Sequence, residues 1–191
     1  MYSDPSGHSL IGALIAAYVL LCTPVGGVLF QAVTSLACYI GFAVASIFDE
    51  TIRNDMNRIN WNPFNIDDGL VLKSNKVSFY KGRPIFRVSG DAGFSFGALF
   101  IGRNVSNNNT DFVRHEYGHT FQLAEQGALS YLIQTVIPSV TGFIVYKKKK
   151  LTVDYESLPW EYDANTFGKA NISVARSNHI TFGDVLMMLF I

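Results

Sequence analysis

The residues with the clearest capacity for chemistry lie in one short segment, which reads Arg-His-Glu-Tyr-Gly-His-Thr from Arg114 to Thr120. His115 and His119 are four residues apart, so on a helix they share a face and can offer imidazole nitrogens to one metal ion. Glu116 follows the first histidine, about 100° further around the helix. A carboxylate there stands beside a bound ion and can act as general base toward water. The pattern therefore predicts a catalytic zinc site.

A helix must carry this segment, and the flanking residues predict one from Thr110 to Gln126. Thr110 or Asp111 is expected to be its N-cap, and Gly127 is expected to end it. Gly118 would weaken an exposed helix by about 1 kcal/mol relative to alanine. We therefore expect it to allow another backbone to pack closely against this helix.

A catalytic zinc site needs a third protein ligand. Downstream, Ser157 as N-cap and Pro159 in the first turn predict a second helix that runs to about Gly168. On it Glu161 and Asn165 are four residues apart and share a face, so we predict Glu161 as the third ligand. Other acidic residues that could be the third ligand are Asp154, Glu156 and Asp163. Asp163 points away from the face that Glu161 and Asn165 share.

The length and composition limit the number of domains and the kinds of partner and site that we expect. The chain has 191 residues, which suits one domain of ordinary size, or one small domain and an appendage. Lys+Arg and Asp+Glu number 15 each, so the net charge is zero, which argues against a nucleic-acid partner. Cys22 and Cys38 are the only cysteines, so neither a disulfide framework nor a cysteine zinc site is expected.

The N-terminal part of the chain is nearly free of charge, since Asp4 is the one formally charged residue among the first 48. Two apolar runs, Ser9–Cys22 and Val28–Phe48, flank a turn-forming Thr-Pro-Val-Gly-Gly sequence. The second run has 21 residues, enough to span a bilayer. We predict an apolar helical hairpin over residues 9–52. It either inserts into a membrane or forms a buried helix pair in a soluble core, and both hypotheses stay open.

The composition changes after the hairpin. Arg53–Asp68 is polar and reads as a linker, and short runs of β-branched and aromatic residues follow. These runs predict a small, mainly antiparallel sheet, and with the helices they predict an α+β fold. Lys147–Lys150 is predicted to be a solvated turn, or else a contact for anionic lipid or a partner. The four predicted strands are Leu70–Leu72, Val77–Tyr80, Pro84–Val88 and Phe94–Ile101.

The His-Glu-Tyr-Gly-His sequence, followed by Glu-x-x-Ala-Asn from Glu161, resembles the gluzincin branch of zinc metallopeptidases. That resemblance implies a zincin-like fold with Glu161 as the third zinc ligand. In many of these enzymes an acidic residue after the alanine supports a histidine ligand. Here that place is held by Asn165, which can accept a hydrogen bond but carries no charge.

A second resemblance covers about residues 70–168 and concerns the metallopeptidase-like domains at the C-termini of Rhs-repeat and wall-associated bacterial proteins. The start, Tyr2–His8, also looks like the Asp-Pro-x-Gly end of an Rhs core. By resemblance the protein is the cargo of a polymorphic toxin, secreted or delivered into a target cell, with an Rhs shell and an immunity protein as partners. The domains expected are a junction at 1–8, the hairpin at 9–52 and a zincin-like metallopeptidase at 53–191. The segments that carry the resemblance are Val77–Gly82, Phe94–Gly97, Leu99–Ile101, Arg114–His119 and Pro159–Glu161.

The function predicted is zinc-dependent hydrolysis of peptide bonds in a protein or peptide substrate. Zn²⁺ is expected on His115, His119 and Glu161, while Glu116 moves the proton from water to the leaving amine. Candidates for a further electrophile are His179, Tyr155 and Arg114.

Three other hypotheses stay open: a membrane-embedded housekeeping metallopeptidase, a non-catalytic binding module, and a membrane-permeabilising effector with a structural zinc. Membrane contact is expected through residues 9–48. We also expect residues 53–191 to fold and bind zinc without the hairpin.

Overall fold

The computed structural model describes residues 6–57, 78–105 and 109–190, with side chains described from residue 11 onward. It combines helices with a small sheet, so the predicted mixture of helix and sheet with apolar N-terminal helices is confirmed. The helices are α1 Ser6–Cys22, α2 Pro24–Phe48, α3 Glu50–Asn57, α4 Thr110–Gln126, α5 Ala128–Tyr131, α6 Ile137–Lys147, α7 Pro159–Gly168 and α8 Phe182–Phe190. A π-helical stretch, Leu132–Val136, joins α5 to α6, and a 3₁₀ turn, Tyr155–Ser157, precedes α7. The strands are β1 Ser78–Tyr80, β2 Arg83–Val88, β3 Gly93–Ser95 and β4 Leu99–Gly102.

The sheet has the order β1-β2-β4-β3 and is mixed. β1/β2 and β3/β4 are antiparallel hairpins, but β2 and β4 pair in parallel. The small sheet predicted as mainly antiparallel is present, with two antiparallel pairs and one parallel pair. The parallel pair was not predicted; it arises because the two hairpins meet through their second strands, which run in the same direction. The run predicted as one strand, Phe94–Ile101, is divided by a turn at Gly97 with φ of +84°. The predicted strand Leu70–Leu72 lies outside the described residues.

The helical hairpin predicted from the apolar runs is present, with the Thr23 hydroxyl at the N-cap of α2 and Pro24 in its first turn. One face of α2 packs against α4, where the Gln31 side chain donates a hydrogen bond to the carbonyl of Thr120. The hydroxyl of Ser35, one turn further on, donates to the carbonyl of Gly97, 3.2 Å away. The domain boundary after residue 52 stays a prediction. These contacts favour placing α2 in the same folded unit as α4 and the sheet.

The two helices that carry the predicted metal ligands, α4 and α7, pack in direct backbone contact. A Cβ atom at Gly118 would overlap the carbonyl of Ala164, and one at Gly168 would overlap the carbonyl of Arg114. Glycine at both crossing points lets the helices approach closely. The expectation that Gly118 serves close packing is confirmed.

Within the part of the chain that the structure describes, two helical stretches are long and apolar enough to cross a bilayer by length and composition, namely Pro24–Phe48 and Ala128–Lys147. The second was not foreseen from the sequence. Pro138, which lacks an N–H, lies just after the π-helical stretch, a place where the regular bonding of an α-helix is interrupted.

Candidate metal centre

Helix α4 begins and ends where the sequence predicts, but its cap differs. The Asn109 side chain accepts a hydrogen bond from the backbone N–H of Phe112 at 3.0 Å, so Asn109 is the N-cap in place of the predicted Thr110 or Asp111. At the other end Gly127, with φ of +79°, terminates the helix as predicted. The resulting 17-residue helix carries both histidines on its buried side.

Helix α7 also has the predicted bounds, Pro159 to Gly168, although Ser157 is not its cap. The Ser157 hydroxyl donates instead to the carbonyl of Asp154 at 2.6 Å, and Leu158 holds the N-cap position without a side-chain bond. The serine stabilises the 3₁₀ turn that leads into the helix. Because α7 starts at Pro159, Glu161 lies in its first turn and faces inward with 1% of its surface exposed.

The three predicted metal ligands converge in the structure. A single oxygen of Glu161, Oε2, lies 3.1 Å from His115 Nε2 and 3.4 Å from His119 Nε2. One ligand atom from each of the three residues lies within 4.8 Å of the others, and all three residues are buried. This donor group can hold a metal ion, since two imidazoles and one carboxylate at such spacing match a three-ligand site.

Both histidines are oriented by side-chain amides. His115 Nδ1 lies 2.7 Å from Asn165 Oδ1, and His119 Nδ1 lies 2.6 Å from Gln122 Oε1. An amide oxygen only accepts, so each Nδ1 must carry the proton, and in the neutral ring Nε2 then presents a lone pair. Gln122 is itself held, because its Nε2 donates to the carbonyl of Trp160 at 2.8 Å. Both rings are therefore set in the tautomer that a metal ion requires.

The second oxygen of Glu161 has its own partner. The Tyr155 hydroxyl donates to Glu161 Oε1 at 2.7 Å. Burial raises the pKa of Tyr155 well above its ordinary value, and the charge of Glu161 adds to this, so the hydroxyl keeps its proton. Tyr155 thus holds Oε1 and leaves Oε2 facing the histidines.

Glu116 is buried next to the ligands and contacts strand β3. The Ser95 hydroxyl lies 3.1 Å from Glu116 Oε2 and 2.6 Å from the Glu116 carbonyl. Gly93 lies so close to the carboxylate that a Cβ atom there would overlap Glu116 Oε1. The Tyr131 hydroxyl donates to the Ser95 carbonyl at 2.9 Å and so fixes the end of the strand.

The carboxylates and His115 perturb one another's proton affinity. Burial alone would lower the pKa of His115, but the hydrogen bond to Glu161 and the charge of Glu161 outweigh it and raise the pKa to about 9. Burial would raise the pKa of Glu161, yet hydrogen bonds with His115 and His119 lower it below its usual range. For Glu116, burial dominates and the pKa is raised. Without a bound ion, the centre therefore has a buried ion pair between His115 and Glu161.

The competing candidates lie elsewhere. Asp163 pairs with Arg176, with 3.3 Å between Oδ1 and Nε, and Arg114 lies 3.5 Å from Asp111. Tyr155 is the one proposed electrophile that reaches the group, and there it bonds the ligand Glu161. Candidates that are exposed to solvent and absent from the cluster are Asp154, Glu156 and His179.

Sequence reasoning missed three residues that shape the centre. Gln122 had a readable signal, because it follows His119 by three residues and so lies on a neighbouring part of the same helix face. Ser95 and Tyr131 had none, since they reach Glu116 only through tertiary packing of the sheet and α5.

The comparisons with known proteins give no further assignment. No protein-family model matches the chain, and no curated protein or solved structure matches it either.

Proposed function

We propose that this protein is a zinc-dependent peptidase. The observation that carries the proposal is the convergence of His115, His119 and Glu161 beside a fourth buried side chain, Glu116, which is not needed as a ligand. Two imidazoles and one carboxylate are a typical catalytic zinc set, which leaves one position for water or substrate. A purely structural site would use four protein ligands and would have no use for a buried carboxylate alongside.

A zinc ion in this site would supply Lewis acidity, lowering the pKa of a bound water toward about 7 and polarising the scissile carbonyl. The protein's own residues do the rest. Glu116 accepts the proton of the attacking water and delivers it to the leaving amine. Ser95 orients the Glu116 carboxylate through its hydroxyl. Asn165 and Gln122 keep the two imidazoles in the tautomer that exposes Nε2.

The resemblance to gluzincins and to Rhs-associated domains supports this reaction class and a toxin role, but the toxin role depends on the sequence likeness alone. The exposed apolar helices favour a second form of the proposal, in which the peptidase acts while bound to a membrane. Both forms share the same centre and the same reaction.

The ligand assignment is tested by metal analysis of the purified full-length chain. We expect about one zinc per wild-type chain and strongly reduced retention in Glu161→Ala. Asp163→Ala is a matched control on the same helix, because Asp163 pairs with Arg176 at the surface. Loss of metal in Asp163→Ala with retention in Glu161→Ala would show that the assignment is wrong.

The catalytic role is tested separately with Glu116→Gln. We expect this variant to keep its zinc, because its ligands are unchanged. Its rate of hydrolysis of a quenched-fluorescent peptide library should fall at least about a thousandfold, because the base is lost. Glu125→Gln, an exposed change on the same helix, should retain the wild-type rate. A zinc-loaded Glu116→Gln protein with near wild-type hydrolysis would remove Glu116 from the mechanism.

A further inference from the structure

A large apolar surface covers the side of the molecule formed by α1, α2 and the α5–α6 segment. Its helices are long and nearly uncovered: 17% of the apolar stretch of α2 and 33% of that of Ala128–Lys147 is buried. A core helix of a soluble protein would be mostly buried, and soluble monomers rarely expose apolar patches beyond a few hundred Å². Residues on this surface that are more than half exposed include Ile15, Tyr18, Val33, Leu36, Ile133 and Val140.

The surface is continuous although its parts are far apart in sequence. α1 packs against both α2 and α5, and Gly127 at the start of α5 lies against the backbone of Leu21 and Cys22. The sequence has no Asp, Glu, Lys or Arg between Pro5 and Phe48 or between Ala128 and Tyr146. Two uncharged stretches that are far apart in sequence therefore adjoin in space.

Charge complementarity points to lipid as the occupant. Four consecutive lysines, Lys147–Lys150, follow directly on the apolar α6 and are exposed. A basic cluster at the end of an apolar surface fits the boundary between hydrocarbon and anionic headgroups, where each lysine adds about fivefold to binding. Lys147 also lies 3.1 Å from Asp91, so Lys148–Lys150 are the lysines that can reach a headgroup.

The covered faces of the same helices exclude a simple crossing of the bilayer. α2 contacts α4 near Gly27, at the level of Ala124, and contacts the sheet through the Tyr39 hydroxyl, 2.6 Å from the Gly82 carbonyl. These contacts are 12 residues apart, about 18 Å along the helix. Charged residues adjoin both contact points, since Glu125 follows Ala124 and Lys81 precedes Gly82. A bilayer core about 30 Å thick would immerse those charges and the open edges of the sheet if α2 crossed it.

The α5–α6 segment is held in the same manner. Its first end follows directly on α4, which terminates at Gly127, and its last residue, Lys147, pairs with Asp91 after strand β2. Both ends therefore stay with the polar part of the molecule, so the segment lies along that part and does not lead away from it.

We propose that the apolar surface of α1, α2 and α5–α6 binds in one leaflet of a lipid bilayer, with Lys148–Lys150 against anionic headgroups and the metal centre outside the hydrocarbon. The protein is then a monotopic membrane protein. Its apolar helices enter one leaflet of the bilayer without crossing to the other side. This placement does not depend on the proposed peptidase activity, because none of its contacts involves the metal ligands.

Flotation of the full-length protein with vesicles tests the surface. We expect binding to phosphatidylcholine vesicles and tighter binding when 30% phosphatidylglycerol is included. Val33→Asp with Ile133→Asp, at sites 65% and 54% exposed, should lower binding to both vesicles at least tenfold. Thr166→Asp, on α7 at the opposite side of α4, should not. A chain that fails to float and elutes as a dimer would show that a second copy covers the surface and would overturn the proposal.

The role of the lysines has its own readout. A triple variant should bind the phosphatidylglycerol vesicles about a hundredfold more weakly. Its changes are Lys148→Gln, Lys149→Gln and Lys150→Gln. Binding to phosphatidylcholine should not change. An equal loss on both vesicles would contradict the headgroup assignment.

Sidedness separates one leaflet from a full crossing. In a Cys22→Ser, Cys38→Ser background, Glu125→Cys and Lys149→Cys place a thiol before and after the α5–α6 segment. A membrane-impermeant maleimide added outside preformed vesicles should label both to the same extent with and without detergent. If either position were labelled only after detergent, the segment would cross the bilayer and the one-leaflet placement would be wrong.

Discussion

At the scale of single residues, the amide of Asn165 is the informative departure from the gluzincin pattern. A divalent ion between His115, His119 and Glu161, with Glu116 alongside, gives two positive and two negative charges in a buried site. A carboxylate at position 165 would add a third negative charge there, at a cost in desolvation. The asparagine orients His115 through the same kind of hydrogen bond while the centre stays neutral.

The raised pKa of His115, about 9, predicts how metal affinity depends on pH. In the metal-free protein His115 is protonated at pH 7, and an ion must displace that proton to bind Nε2. Affinity should therefore rise about tenfold per pH unit between pH 7 and pH 9 and level off above. Competition with a chelator of known protonation behaviour measures this. A flat affinity over that range would mean that His115 is neutral before the ion binds.

The same shift makes the stability of the metal-free protein depend on pH. Because the folded pKa of His115 lies above the unfolded value of 6.5, its stabilising contribution is complete below pH 6.5. That contribution is lost as the pH rises through about 9. Metal binding therefore replaces the His115–Glu161 ion pair in the pH range where the pair weakens.

At the scale of elements, local signals predicted α4 and α7 to the residue, because proline, glycine and the four-residue spacing act within one helix. Their N-caps were predicted wrongly, since several neighbouring residues compete for that position. The sheet's pairing was missed for a different reason. Which strands become neighbours is decided by packing on α2 and α4, and that information is not local.

The close approach of α4 and α7 predicts a strong effect for one added methyl group. In Gly118→Ala the new Cβ would overlap the Ala164 carbonyl, so the helices must separate and Glu161 must move away from the histidines. We expect a loss of about 1–3 kcal/mol in the free energy of unfolding, together with weaker zinc retention. Chemical denaturation and metal analysis measure the two effects.

Gly41→Ala is the matched control, because nothing lies within 4 Å of a Cβ atom at that position in α2. Alanine there should be neutral or slightly stabilising, since it has the higher helix propensity. If Gly118→Ala were equally harmless, the crossing of α4 and α7 would not set the ligand geometry.

At the scale of the whole molecule, α2 has two different sides. Its outer side is apolar and exposed, whereas its inner side forms a polar network in which the Arg83 guanidinium bonds both Gln31 and Ser35. Gln31 in turn bonds the carbonyl of Thr120, the residue next to His119. The polar residues on the inner side of α2 carry no charge, so this network does not stand out in the sequence.

This network predicts different outcomes for two truncations. Removal of residues 1–22 takes away α1, which packs on α2 and α5. We expect the remaining chain to keep its metal ion and its helical content in detergent.

Removal of residues 1–48 also takes away α2. This leaves the partly buried Arg83 without Gln31 and Ser35, and it removes Phe42 from its contacts with the rings of Phe79 and Phe86. We expect that chain to lose metal binding and cooperative unfolding, because Arg83 loses its hydrogen-bond partners and the apolar core that α2 covers is exposed to water. Metal analysis and circular dichroism of both chains in the same detergent provide the comparison. A chain beginning at residue 49 that holds one zinc and unfolds cooperatively would instead support the domain boundary predicted after residue 52.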